Sequence, residues 1–175
     1  MVATAGSAIE RLARAVFGLS RAWAVLGGVV LLAVMLMTVA SVAMRALLGF
    51  PILGDYELVE IGTAVATFAF LPYCHQAGGN VAVDFFTERA SARVKHGLGA
   101  LGSLLLAAVA LALLWRMALG GYDFFQYHEV TTNLGIPRWW AFAPILVSLA
   151  LLALVSTVAC AHDLRAAAEE RPRRS

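Results

Sequence analysis

Four stretches of this chain contain no Asp, Glu, Lys or Arg: Ala22–Met44, Ile61–Val83, Gly97–Trp115 and Trp139–Ala161. A helix needs about 20 mostly apolar residues to cross a hydrocarbon core of about 30 Å. Three of the stretches suffice as they stand. The second turns polar at "CHQAGGN" after Tyr73, so a full span there has to begin at or before Glu60. The pattern predicts an all-α integral membrane protein with four transmembrane helices, at about residues 22–44, 57–75, 97–120 and 139–161.

Outside the spans the pattern changes to one-sided helices. Ile9, Leu12, Ala13, Val16 and Phe17 recur at three- and four-residue spacing, opposite Glu10, Arg11, Arg14 and Arg21. This predicts an amphipathic helix at about 7–20 lying in the membrane interface. Between spans two and three the chain breaks at Gly78-Gly79, passes Asn80 and restarts at Asp84, a good N-cap. A short second amphipathic helix is expected there, with Phe85, Phe86 and Val94 beside Glu88, Arg89, Arg93 and Lys95. Its aromatic residues suit the interface and its basic residues suit anionic lipid. Residues 1–163 then form a single four-helix membrane domain. Residues 164–175, "LRAAAEERPRRS", have no apolar face after Leu164 and read as a polar tail.

Composition agrees with this reading. Hydrophobic residues make up 61% of the chain and charged residues 14%, against about 45–50% and 25% in an average soluble domain. Net charge is +2 and decides nothing, but placement does. Arg11, Arg14, Arg21, Arg89, Arg93, Lys95, Arg165, Arg171, Arg173 and Arg174 fall on one side of the membrane, and Arg45, Arg116 and Arg138 on the other. The positive-inside rule then puts both termini in the cytoplasm. The first apolar run, with 23 residues, exceeds the about 7–15 of a secretory signal and is expected to stay. Cys74 and Cys160 are the two cysteines, both at cytoplasmic helix ends, where a reducing compartment argues against a disulfide.

Three carboxylates, Asp55, Glu57 and Glu60, stand at the mouth of the second span, on the outer face. An acid buried at mid-membrane suggests function by default, but these lie at a helix N-terminus, where the dipole favours an anion. Arg45 closes the preceding helix, where a cation is favoured. An Arg45–Glu57 or Arg45–Glu60 pair, or contact with a partner subunit, therefore accounts for them better than ion coupling. Arg116 is close enough to the outer face to reach water along its own stem. In the third connection, Pro137 followed by Trp139-Trp140 suits a rigid helix start anchored by an aromatic belt.

Cys74, His75, Cys160 and His162 carry zinc-type donors, but not at the usual spacings, and no metal site is expected. The same two histidines would have to ligate a haem if the chain were the membrane anchor of a redox enzyme. Gly62 with Ala66, and Gly99 with Ser103, have the spacing of close helix packing. HExxH, GxSxG and GxxxxGK[ST] are all absent. No enzyme activity, cofactor or nucleic-acid partner is expected, and membrane lipids are.

The order of four short motifs carries the reading further. Arg45 ends the first span, "DYELVE" opens the second, "AGGNVAVDFF" follows it, and "TTNLGIPRWWAFAPIL" leads into the fourth. Together, over about residues 22–160, they resemble the small membrane subunit of TRAP (tripartite ATP-independent periplasmic) transporters, the DctQ-like family. Asn80 stands where that family often has His, so a neutral-pH titration at this position is not expected.

The resemblance implies a scaffold subunit in a bacterial inner membrane. Its partners would be a large multi-span permease subunit, which holds the substrate and sodium sites, and a periplasmic substrate-binding protein. The complex would take up a small organic acid, driven by an ion gradient. On the same resemblance, Gly78, Gly79, Asn80 and Asp84 form an interfacial loop motif, and the outer loop with Pro137, Arg138 and Trp139 is a candidate docking surface for the binding protein. The competing readings are the redox-enzyme anchor, and an independent small transporter using Glu60.

Overall fold

A computed structural model describes residues 2–77 and 92–169, which are helical apart from two connections. The helices are α1 (Val2–Leu48), α2 (Asp55–Gln76), α3 (Ala92–Gln126) and α4 (Trp139–Glu169). All four contain a segment long and apolar enough to cross a membrane. Gly78, Gly79, Asn80, Asp84 and the short helix expected around them lie outside the described residues.

The interfacial helix expected at about 7–20 and the first span are one continuous helix. Between Arg21 and Leu48 nothing interrupts it: no proline occurs, and the sequence is rich in Ala, Leu and Met, all good helix formers. Its 47 residues correspond to about 70 Å at 1.5 Å per residue, over twice the hydrocarbon thickness. A large part of α1 therefore extends beyond the apolar layer.

Helix ends follow local chemistry. Gly49, at φ 82°, stops α1, and its N–H donates to the Arg45 carbonyl at 3.1 Å. Five residues later Gly54, at φ 74°, turns the chain into α2. At the start of α4, Pro137 and Arg138 accept from the N–H groups of Trp140 and Ala141 at 3.2 Å each, a tight first turn.

The helices pack in the order α1, α2, α4, α3, with a lighter contact of α1 on α4. Small residues set the closest approaches. On α1, Gly27 faces Ala66 and Ala69 of α2, and Gly62 of α2 faces Val34 of α1. The α3–α4 contact runs from Gly99 against Asp163 to Gly121 against Phe142. Between these lie Ala110, Leu152 and Ala153, with Leu106 packed against them. The Gly62/Ala66 and Gly99/Ser103 pairs from the sequence thus fall at helix contacts, with Ala66 and Ser103 both buried.

Helix α4 is the most enclosed: Leu149 and Val155 are fully buried, as is Ser156. Ser148 is buried too, and it ties α1 to α4. The Trp23 indole N–H donates to Ser148 Oγ at 2.8 Å, and Ser148 Oγ donates to the Pro144 carbonyl at 2.8 Å. By contrast, α1 leaves Val25, Val29, Leu32, Met35, Leu36 and Val39 exposed, and α3 leaves Leu101, Leu104, Leu105 and Val109 exposed. In water such faces would be an aggregation hazard. In lipid they are ordinary.

Candidate functional site

The α1–α2 turn and the α3–α4 connection meet at one end of the helices, and most of the interhelical polar contacts gather there. At its base, Ser41, two turns before the end of α1, donates through Oγ to Asp55 Oδ2 at 2.6 Å and accepts the Ile52 N–H at 3.2 Å. Arg45 Nη2 lies 3.7 Å from the same Asp55 oxygen. The guanidinium end of the pair is half exposed and the carboxylate only 16% exposed. Such a pair is worth at most about 1 kcal/mol, so the Ser41 hydrogen bond contributes at least as much.

This corrects the partner expected for Arg45. The tight Gly49–Gly54 turn brings the first residue of α2, Asp55, next to the last turn of α1. Glu57 and Glu60 point elsewhere. Glu57 Oε1 accepts the Asn133 backbone N–H at 2.7 Å and Asn133 Nδ2 at 3.1 Å, while Oε2 accepts the Leu134 N–H at 3.1 Å. The carboxylate thus clamps the tip of the α3–α4 connection onto α2. Leu134 lies directly over Gly54, where any Cβ would collide with its side chain. Gly54 is therefore required twice, for its φ and for this contact.

The clamped tip is itself ordered. Val130 and Pro137 pair across an antiparallel bridge. The Thr131 N–H donates to the Ile136 carbonyl at 2.9 Å, and the Ile136 N–H donates to Thr131 Oγ1 at 3.0 Å. The turn closes with Gly135 at φ 66°, its N–H on the Thr131 carbonyl at 3.1 Å. Arg138 N–H donates to the Glu129 carbonyl at 3.0 Å. Beneath, Phe125 meets Trp139 edge-on at 5.7 Å, and Trp139 meets Trp140 at 6.2 Å. Pro137 is half-buried, and Arg138 and Trp139 are exposed beside the tip.

At the opposite end, His96 Nδ1 of α3 lies 3.5 Å from Asp163 Oδ1 of α4. Cys74 and Cys160 are free thiols. Among the described residues no group of three or more His, Cys, Asp and Glu side chains could hold a metal ion.

Several site residues escape sequence reasoning. Ser41 and Asn133 have no local signal, since their partners lie 14 and 76 positions away. A serine inside an apolar run, as at Ser41 or Ser148, is the available hint, because hydroxyls in membrane helices seek partners.

No curated protein and no solved structure matches the chain significantly. A family model does match, that of the tripartite ATP-independent periplasmic transporters, DctQ component, over residues 34–166. That stretch includes the Ser41/Arg45/Asp55 cluster, the Glu57 clamp and the whole of "TTNLGIPRWWAFAPIL". The chain is a member of the DctQ family, a multi-pass small subunit of a TRAP transporter.

Proposed function

We propose that this subunit is a scaffold. It would brace a large multi-span permease subunit in the bacterial inner membrane, with both termini cytoplasmic, and present its clamped α3–α4 tip outward to a periplasmic substrate-binding protein. Uptake would be of a small organic acid, driven by an ion gradient, with the substrate and sodium sites on the large subunit. The observation that carries this reading is the division of the surface. The α1 and α3 faces are apolar and uncovered, while the polar contacts of the α1–α2 and α3–α4 connections are spent on holding helix ends and the tip.

An apolar face suits lipid or a partner helix, and a rigid exposed tip suits docking at low entropic cost. Pro137 and Trp139 stand beside that tip and are the proposed contact residues, while Arg138 between them lines a neighbouring cleft. The ten-to-three distribution of basic residues supports cytoplasmic termini.

Affinity purification of the tagged chain from cells that also make the large permease tests the scaffold. A stable complex of the two is expected. Recovery of the small subunit alone, under conditions that keep both folded, would contradict the proposal.

A further inference from the structure

A cleft of about 220 Å³ opens between α2, α3 and α4 at the end of the molecule where the α3–α4 connection is clamped. Its lining includes Glu60 and Arg138, both exposed, and Ala64, Met117, Phe142 and Ile145, which are more enclosed. Arg138 and Ile145 are seven positions apart along the chain, about 10 Å at helical rise. The cleft therefore passes from charged to apolar over the distance that separates a headgroup layer from acyl chains. It is smaller than the about 300–1,000 Å³ typical of sites for drug-sized ligands, so it takes a compact group.

Glu60 and Arg138 line one cleft without forming an ion pair with each other. Among the described residues neither side chain makes a hydrogen bond or salt bridge. This sets Glu60 apart from Glu57, one turn away, whose two oxygens are both engaged. Two opposite charges over an apolar floor match a ligand with the same two charges and an apolar tail.

We propose that this cleft binds one zwitterionic phospholipid, its primary ammonium on Glu60, its phosphodiester on Arg138 and the start of an acyl chain against Met117 and Ile145. The chemistry is selective. A guanidinium suits the phosphate oxygens in a bidentate geometry. A carboxylate accepts hydrogen bonds from a primary ammonium, whereas a quaternary ammonium has none to give. An anionic headgroup without a cation leaves Glu60 unpaired.

The test is native mass spectrometry of the full chain, offered equal amounts of phosphatidylethanolamine, phosphatidylcholine and phosphatidylglycerol with matched acyl chains. Wild type is expected to retain the ethanolamine lipid about three- to fivefold over either competitor, the size of one partly exposed ion pair. Glu60→Gln should bring the preference over the choline lipid close to one, and Arg138→Gln should lower retention of all three. Equal retention of the three lipids by wild type would overturn the proposal, and that result does not depend on either variant folding. Crosslinking from position 64 in the complex with the large permease gives a second check. Lipid adducts are expected, and adducts to a permease helix instead would also overturn it.

Discussion

Two helix pairs make up this molecule, and they are held in different ways. The α1–α2 pair approaches closely at Gly27 and Gly62 and is tied at one end by Ser41, Arg45 and Asp55. The α3–α4 pair is matched along most of its length, from Gly99 against Asp163 to Gly121 against Phe142. In the first pair the tight points face atoms fixed to the partner's backbone or to a stiff β-branched side chain. In the second, one of the tight points faces the tip of a movable carboxylate. Loss of structure should nonetheless begin with α1, since only 11% of an apolar 18-residue stretch of it is buried, against 44% of the matching stretch of α4.

The sharpest way to break that comparison is Gly27→Ala. The new methyl would lie 2.7 Å from Ala69 Cβ, which cannot rotate away, so α1 must move off α2. A loss of about 1–3 kcal/mol is expected, read as a lower unfolding temperature in detergent. Gly99→Ala is the matched control on α3. Its methyl meets Asp163 Oδ2 at 2.9 Å, the end of a flexible side chain that can swing aside at the expense of its 3.5 Å contact with His96, and a loss of at most about 1 kcal/mol is expected.

Next in size is Asp55→Ala, which removes the acceptor of Ser41 and the partner of Arg45. It should cost about 1 kcal/mol, and Glu60→Ala, measured the same way, should cost less. Ser148→Ala cuts the link to Trp23. An interhelical hydrogen bond within a membrane averages about 0.6 kcal/mol, so a small loss of stability is expected, with a red shift or broadening of Trp fluorescence marking the freed indole.

The smallest effect on global stability is expected from Glu57→Gln, which acts on the tip instead. Amide hydrogen exchange at Asn133 and Leu134 should accelerate, while Thr131 and Gly135, bonded within the tip itself, keep their protection. Unchanged exchange at 133 and 134 would show that the carboxylate does not hold the tip.

The sequence carries the spans because charge is excluded from lipid. Helix α2, expected at about 57–75, runs Asp55–Gln76, and α4 starts at Trp139 as the preceding Pro137 suggests. Other features are set by tertiary contacts and are not written locally. The continuity of α1 through Arg21 is one, since an amphipathic stretch leading into an apolar one has the same local code whether or not the helix bends between them. The choice of Asp55 for Arg45 is another. Asp55, Glu57 and Glu60 all lie near the end of α1, and what separates them is the Gly49–Gly54 turn together with the capture of Glu57 by a loop 76 residues away.

The central claim is that this chain supports transport without carrying the transported ion or solute. Reconstitution into vesicles with an imposed sodium gradient tests it most directly, comparing the chain alone, the large permease alone, and the two together with the binding protein. Uptake is expected when all three proteins are present, and Glu60→Gln in that mixture should leave it largely intact. Gradient-driven uptake by this chain alone, or its abolition by Glu60→Gln in an assembled complex, would contradict the account.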